Sequence, residues 1–156
     1  MGFAHRSGGG LGAEPPFRWR CHMSNCIFCS IVEGRLPAFI IYEDGIFLAI
    51  LDRYPGTRGE ILILPKRHVE DIYGLNQEET AALMPLAKRV SEKMRNALEM
   101  DGLNLIQNNG KAAGQEINHF HLHLLPRYAN DSVKLHKKPT NPPLDELEQV
   151  AGLLKL

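Results

Sequence analysis

A chain of 156 residues has room for one domain with a packed core and is short for two. Its 18 Lys and Arg residues balance 18 Asp and Glu, which excludes a nucleic-acid binder held by bulk positive charge. Hydrophobic residues at 44% and charged residues at 23% are those of a globular chain, and no apolar run approaches the roughly 20 residues that span a bilayer, so a transmembrane reading is excluded.

Residues 1–22 contain a Gly run, a Pro pair and no hydrophobic periodicity, and read as a flexible extension without the apolar core of a secretory signal. The main domain is expected over 23–130, a tail with a short helix over 131–156, and a cytoplasmic location. Setting aside Arg6, Arg18, Arg20 and Glu14 leaves the remainder slightly acidic. A short helix is expected over Cys26 to Glu33. Strand-forming runs at Ile40–Glu43 and Ile46–Leu51 flank Asp44-Gly45, a hairpin signal. A third strand is expected from Glu60 to Leu64, stopped by Pro65. Asn76 followed by Glu79 is an N-cap with its capping-box partner, opening a helix to about Met100 that Pro85 confines or kinks and Gly102 stops. Leu83, Leu86, Ala87, Val90, Met94 and Ala97 recur at helical spacing, so this face packs on a sheet. Two more strands are expected at Leu103–Asn108 and His119–Leu125, and a last helix from about Leu144. This order fits an α+β fold: a five-stranded antiparallel sheet with one long helix and short flanking helices, the helices segregated to one side.

Within the last strand, His119-Phe120-His121-Leu122-His123-Leu124-Leu125 alternates imidazole with apolar side chains. Side chains alternate between the faces of a strand, so the three imidazoles share one face and Phe120, Leu122 and Leu124 pack on the other. One such histidine reads as a polar, solvent-facing residue; three in strict alternation call for metal binding, general base or nucleophilic chemistry near neutral pH. Immediately upstream, Asn108-Asn109-Gly110 and Ala113-Gly114-Gln115 supply donors and backbone freedom suited to holding a phosphate.

These residues resemble the histidine triad (HIT) superfamily, whose signature alternates three histidines with apolar residues, and His119–Leu125 matches it throughout. The likeness extends over about residues 25–127, through Asn25-Cys26-Ile27-Phe28-Cys29, Pro37-Ala38, Tyr42-Glu43-Asp44, Asp52, Ile63-Leu64-Pro65-Lys66-Arg67-His68, Asn108-Asn109-Gly110 and Gly114-Gln115. It implies the HIT fold in a homodimer and an enzyme acting on purine nucleoside phosphoramidates or dinucleoside polyphosphates. On this resemblance His121 would attack the α-phosphate and form a nucleotidyl-histidine that water resolves, and His123 would donate to a phosphate oxygen. Asn108 and the backbone amides of Gly114, Gln115 and Glu116 would bind phosphate oxygens or the leaving group. Asp52 would hold the ribose, and Ile27, Phe28, Ile31 and Ile50 would form the base pocket or serve the core. Glu116 stands where related branches carry serine or threonine; either its carboxyl is a general acid or its backbone amide alone contributes.

Cys26-x-x-Cys29 without a secretory signal suggests metal or redox chemistry rather than a structural disulfide. By resemblance to bacterial-type members, His68 and His119 complete a structural Zn2+ site with Cys26 and Cys29. His5, Cys21, His22 and His136 are left as bystanders, and Lys134, Lys137 and Lys138 form a small solvated cluster rather than a nucleic-acid surface. The expected partner is a purine nucleotide; a nucleotide- or partner-binding module with little turnover is the alternative.

Overall fold

The computed structural model describes residues 25–135 and 141–155. The expected extension 1–22, with His5, Cys21 and His22, lies outside the described residues, as do His136, Lys137 and Lys138. Five strands form one antiparallel sheet in the order β1-β2-β3-β5-β4. They are β1 (Ile40–Glu43), β2 (Phe47–Leu51), β3 (Ile61–Pro65), β4 (Gly102–Ile106) and β5 (Leu122–Arg127).

The apolar runs of β2 and β3 are buried on both faces. Phe47, Ala49, Ile61 and Ile63 join Phe120, Leu122 and Leu124 on one side, where helix α2 (Gln77–Leu98) lays down Leu83, Leu86, Ala87, Val90 and Met94. The alternate residues Leu48, Ile50, Leu62 and Leu64 face the opposite side and pack with Phe28, Ile31 and Val32 of helix α1 (Ile27–Val32). Helices therefore cover both faces, correcting the expected one-sided arrangement. The reason is that the second face is as apolar as the first and loses free energy if left in water. A third helix, α3 (Leu144–Leu154), begins at the expected residue, and no helix among the described residues is long and apolar enough to cross a membrane.

Several local expectations change. The hairpin between β1 and β2 is held by the Asp44 carboxylate, whose Oδ1 accepts from the Ile46 and Phe47 amides at 2.7 Å each; Gly45 needs no positive φ. Pro65 closes β3 as its last residue, opposite Phe47. The capping box of Asn76 and Glu79 forms as expected, but α2 runs through Pro85 unbroken. That proline is exposed, so the carbonyl it leaves without a partner can bond water. Ala97 is exposed and Leu98 takes its place on the core. The helix ends at Leu98, with Glu99 in the left-handed conformation (φ 50°), and Gly102 opens β4 instead of stopping the helix. The triad is also displaced: His119 and His121 precede β5, and of the three only His123 lies within the strand.

Candidate active site and metal centre

Three distant segments meet beneath α1. Beyond Pro65 the chain is fixed on both sides: Lys66 Nζ lies 2.9 Å from Glu43 Oε1, and Arg67 grips Glu79 through Nε–Oε1 (2.9 Å) and Nη2–Oε2 (2.6 Å). The Phe120 amide donates to the Val69 carbonyl at 2.6 Å, drawing the His68 segment against the triad. The His68 and His119 rings consequently stand edge to face, with centroids 5.1 Å apart.

Cys26, at the N-cap of α1, and Cys29, one turn later, complete this cluster. Cys26 Sγ lies 3.5 Å from His119 Nδ1; Cys29 Sγ lies 3.2 Å from His68 Nδ1 and 3.6 Å from His119 Nδ1. All four ligand atoms fall within 4.8 Å of one another. Tetrahedral Zn2+, with Zn–S of about 2.3 Å and Zn–N of about 2.0–2.1 Å, sets S···N separations of about 3.5 Å, so the spacing of the four residues fits that ion. Cys29 is disulfide-bonded in this structure, against the expectation from its spacing, and becomes a thiolate ligand only on reduction, whereas Cys26 is a free thiol. The His119 Nε2–H donates to the Pro65 carbonyl at 2.9 Å, leaving the Nδ1 lone pair turned toward the sulfurs. Burial, with smaller contributions from His68 and His121, lowers the His119 pKa to about 4 against an opposing pull from the Pro65 carbonyl. The ring is thus neutral, as a ligand must be.

Two residues on, the His121 ring is buried and its Nδ1–H donates to the His119 carbonyl at 2.7 Å. This bond fixes the tautomer whose Nε2 carries the lone pair. Burial pushes the His121 pKa down, aided by His123, while the bond to the His119 carbonyl and the nearby Asp52 oppose the shift. Phe28 meets the His119 and His121 rings edge-on at 5.7 and 5.1 Å. The His121 and His123 ring centroids are 4.9 Å apart.

Glu60 is the residue that sequence reasoning missed. It is 6% exposed, and its Oε1 accepts from His123 Nδ1 at 2.8 Å while Oε2 accepts from the Gly56 amide at 2.6 Å. Burial alone raises the Glu60 pKa; the bonds from His123 and Gly56 outweigh it, and the net shift is downward. Asp52, Glu60 and His123 place ligand atoms within 4.8 Å of one another, and Asp52 also accepts from the Tyr54 amide. The available signal was parity: Glu60 sits two residues before Leu62, which pairs with His123, so both side chains belong to the same face of the sheet.

The loop ahead of the triad is stitched internally. Gln115 Oε1 accepts from the Gly110 amide (2.7 Å), and its Nε2 donates to the carbonyls of Glu70 (2.6 Å) and Ile117 (3.1 Å). The Gln115 side chain is therefore occupied in shaping the loop. Asn108 Nδ2 reaches the Gly114 carbonyl at 3.4 Å, and Gly114 takes a positive φ of 83° that favours glycine. Glu116 is exposed. Of the expected base-pocket residues, Phe28 and Ile50 are buried in the core, Ile31 packs against it, and Ile27 is 49% exposed.

Comparison with known proteins agrees with this geometry. Residues 33–130 match the HIT domain. An uncharacterized HIT-like protein of Methanocaldococcus jannaschii is 40% identical over 129 residues, covering 81% of this chain and 99% of that protein. A crystal structure from Streptococcus mutans superposes with a TM-score of 0.81 at 36% identity, covering 85% of this chain and 84% of the other. A zinc-bound histidine triad family protein from Mycobacterium smegmatis superposes with a TM-score of 0.67 at 41% identity, over 74% and 84% of the two chains. With the triad, the antiparallel sheet and these relatives in agreement, the chain belongs to the histidine triad family.

Proposed function

We propose that this protein cleaves a substituent from the α-phosphate of a purine nucleotide, either a phosphoramidate or a dinucleoside polyphosphate, through a nucleotidyl intermediate on His121. The observation that carries the reading is the 2.7 Å bond from His121 Nδ1 to the His119 carbonyl, which commits one ring nitrogen and leaves the other as a nucleophile. The Nε2 lone pair forms a bond to phosphorus while the bond to the leaving group breaks. The departing atom keeps the electron pair and takes a proton from His123. Water then attacks the phosphorus and gives up its proton to His123 while the P–Nε2 bond breaks; its electron pair returns to Nε2, which releases the nucleoside monophosphate and restores neutral His121. Two easier displacements replace one hard one.

Asn108 and the amides of Gly114, Gln115 and Glu116 are assigned to the phosphate oxygens, Asp52 to the ribose hydroxyls, and Ile27, Phe28, Ile31 and Ile50 to the base. With Cys29 reduced, Cys26, Cys29, His68 and His119 would hold Zn2+, which would supply a structural cross-link. The His119 side chain would be one of its ligands, and the His119 carbonyl accepts from His121 Nδ1, so the cross-link would brace the segment that orients His121. The working form is proposed to be a cytoplasmic homodimer without membrane or nucleic-acid partners; among the described residues β4 is an edge strand, to whose outer side a second copy could pair.

The test is release of AMP from an adenosine phosphoramidate and from diadenosine polyphosphates by the purified protein. His121→Ala is expected to lower kcat by at least about a thousandfold with the fold intact, and a normal rate from that variant contradicts the mechanism. Tight nucleotide binding without AMP release by the unaltered protein supports the binding-module reading instead.

A further inference from the structure

We propose that Glu60 is the positioning residue for His123: its buried carboxylate holds Nδ1, commits Nε2 to the reacting group, and balances the ring's charge whenever His123 acts as proton donor. The inference rests on the nucleotidyl-transfer reading above and extends it to the choice of leaving group.

A carboxylate is costly to bury unless its oxygens are paired, and Glu60 lies on the side of the sheet where Leu62 and Leu64 contribute only apolar packing. Both of its oxygens are engaged, Oε1 by His123 Nδ1 and Oε2 by the Gly56 amide. The Gly56 bond fixes the carboxylate's orientation, and the carboxylate then fixes the imidazole. A carboxylate behind a histidine is a common means of setting ring orientation and tautomer.

The consequence concerns proton delivery. The residue at position 116 is glutamate, exposed to solvent, and supplies no hydroxyl there to assist a departing amine. Proton delivery is assigned to His123, whose Nδ1 is held by the buried Glu60, rather than to the exposed carboxyl of Glu116. As the P–N or P–O bond breaks, the leaving atom keeps the electron pair and accepts the proton from His123 Nε2. The ring passes from imidazolium to the neutral Nδ1–H form, still bonded to Glu60. In the second step Nε2 recovers a proton from the attacking water, so protons balance over the cycle. Leaving groups that depart as stable anions need no such proton and depend less on the Glu60–His123 pair.

Glu60→Gln tests this on the full-length, zinc-loaded protein. A glutamine has one acceptor and one donor group at the positions of the two carboxylate oxygens, so it cannot accept from both His123 Nδ1–H and the Gly56 amide. Expected results are a kcat lower by about 10- to 100-fold for an alkylamine leaving group, less than about threefold for a nitrophenolate, and KM little changed. Nitrogen-15 NMR of the His123 ring, assigned with His123→Ala, should show an Nδ1–H bonded to a carboxylate in the unaltered protein and the loss of that signature in Glu60→Gln. Glu60→Asp, which keeps the charge but withdraws it by one methylene, should fall between the two in both readouts and replaces Glu60→Gln if that variant does not fold. An equal loss for both leaving groups, or an unchanged Nδ1–H signal, overturns the proposal. The NMR readout needs no turnover, so it separates failure of this pairing from failure of the nucleotidyl-histidine mechanism, which is read by His121→Ala.

Discussion

The two faces of the sheet are stabilised by different means. One is covered by the 22 residues of α2, begun by a capping box and seated on an apolar layer that includes Phe47, Ile63, Phe120 and Leu124. The other is covered by the six residues of α1, whose N-cap has no side-chain cap bond, and it carries Cys26, Cys29, His68, His119, His121, His123 and Glu60 among a smaller apolar set. A six-residue helix has little stability of its own in water. It depends on packing through Phe28 and on the sulfur and imidazole groups clustered at its start. The difference separates two tasks: the α2 face supplies stability, while the α1 face holds polar groups in fixed positions at some cost in burial.

The largest effect is expected from breaking the α2 face. Phe47 is fully buried there, and Phe47→Ala should cost about 3–5 kcal/mol in denaturant unfolding, through lost transfer energy and a residual cavity. A much smaller loss would mean that the core is not concentrated on that side. Next comes the metal. The protein should bind one zinc per chain, and zinc at a hundred times its dissociation constant should stabilise the fold by about 2.7 kcal/mol. Removing it should raise amide exchange in Ile27–Val32 and lower turnover, while α2 stays protected; equal exchange in α1 and α2 would erase the distinction between the faces. The smallest effect is the response to pH. The Glu60 pKa is lowered in the fold, so its contribution is present above the unfolded value of about 4.3 and is lost as pH falls through the lower folded value. Protection factors in α1 and β5 should fall before those of α2 as pH drops below about 4, and Glu60→Gln should narrow that difference. An α2 that opens first would contradict the comparison.

What could be read from the sequence follows the range of the interactions. The capping box at Asn76 and Glu79, the Asp44 turn and the alternation around His119–Leu125 are set by residues within a few positions of one another; the first two form, and Phe120, Leu122 and Leu124 share one face although the strand itself begins only at Leu122. Family likeness supplied the Cys26, Cys29, His68 and His119 grouping, which the fold then brings within ligand distance. The Glu60–His123 pair was not legible because it spans 63 positions and depends on the β3–β5 register, which sets Leu62 opposite His123. The placement of α1 on the second face was hidden for the same reason. Of the two expectations at Pro85 the break does not occur, since an exposed proline is tolerated within a long packed helix, and Gly102 does not stop the helix, which ends with Glu99 in the left-handed conformation.

The central claim, a nucleotidyl group carried by His121, is tested most directly by trapping it. The protein is mixed with an adenosine phosphoramidate, quenched within a turnover, digested, and analysed by mass spectrometry of the peptide spanning the triad. One adenylyl group is expected on His121, absent from His121→Ala, and rising and falling with turnover. Full turnover with no adduct, or an adduct on another residue that persists in His121→Ala, would contradict it.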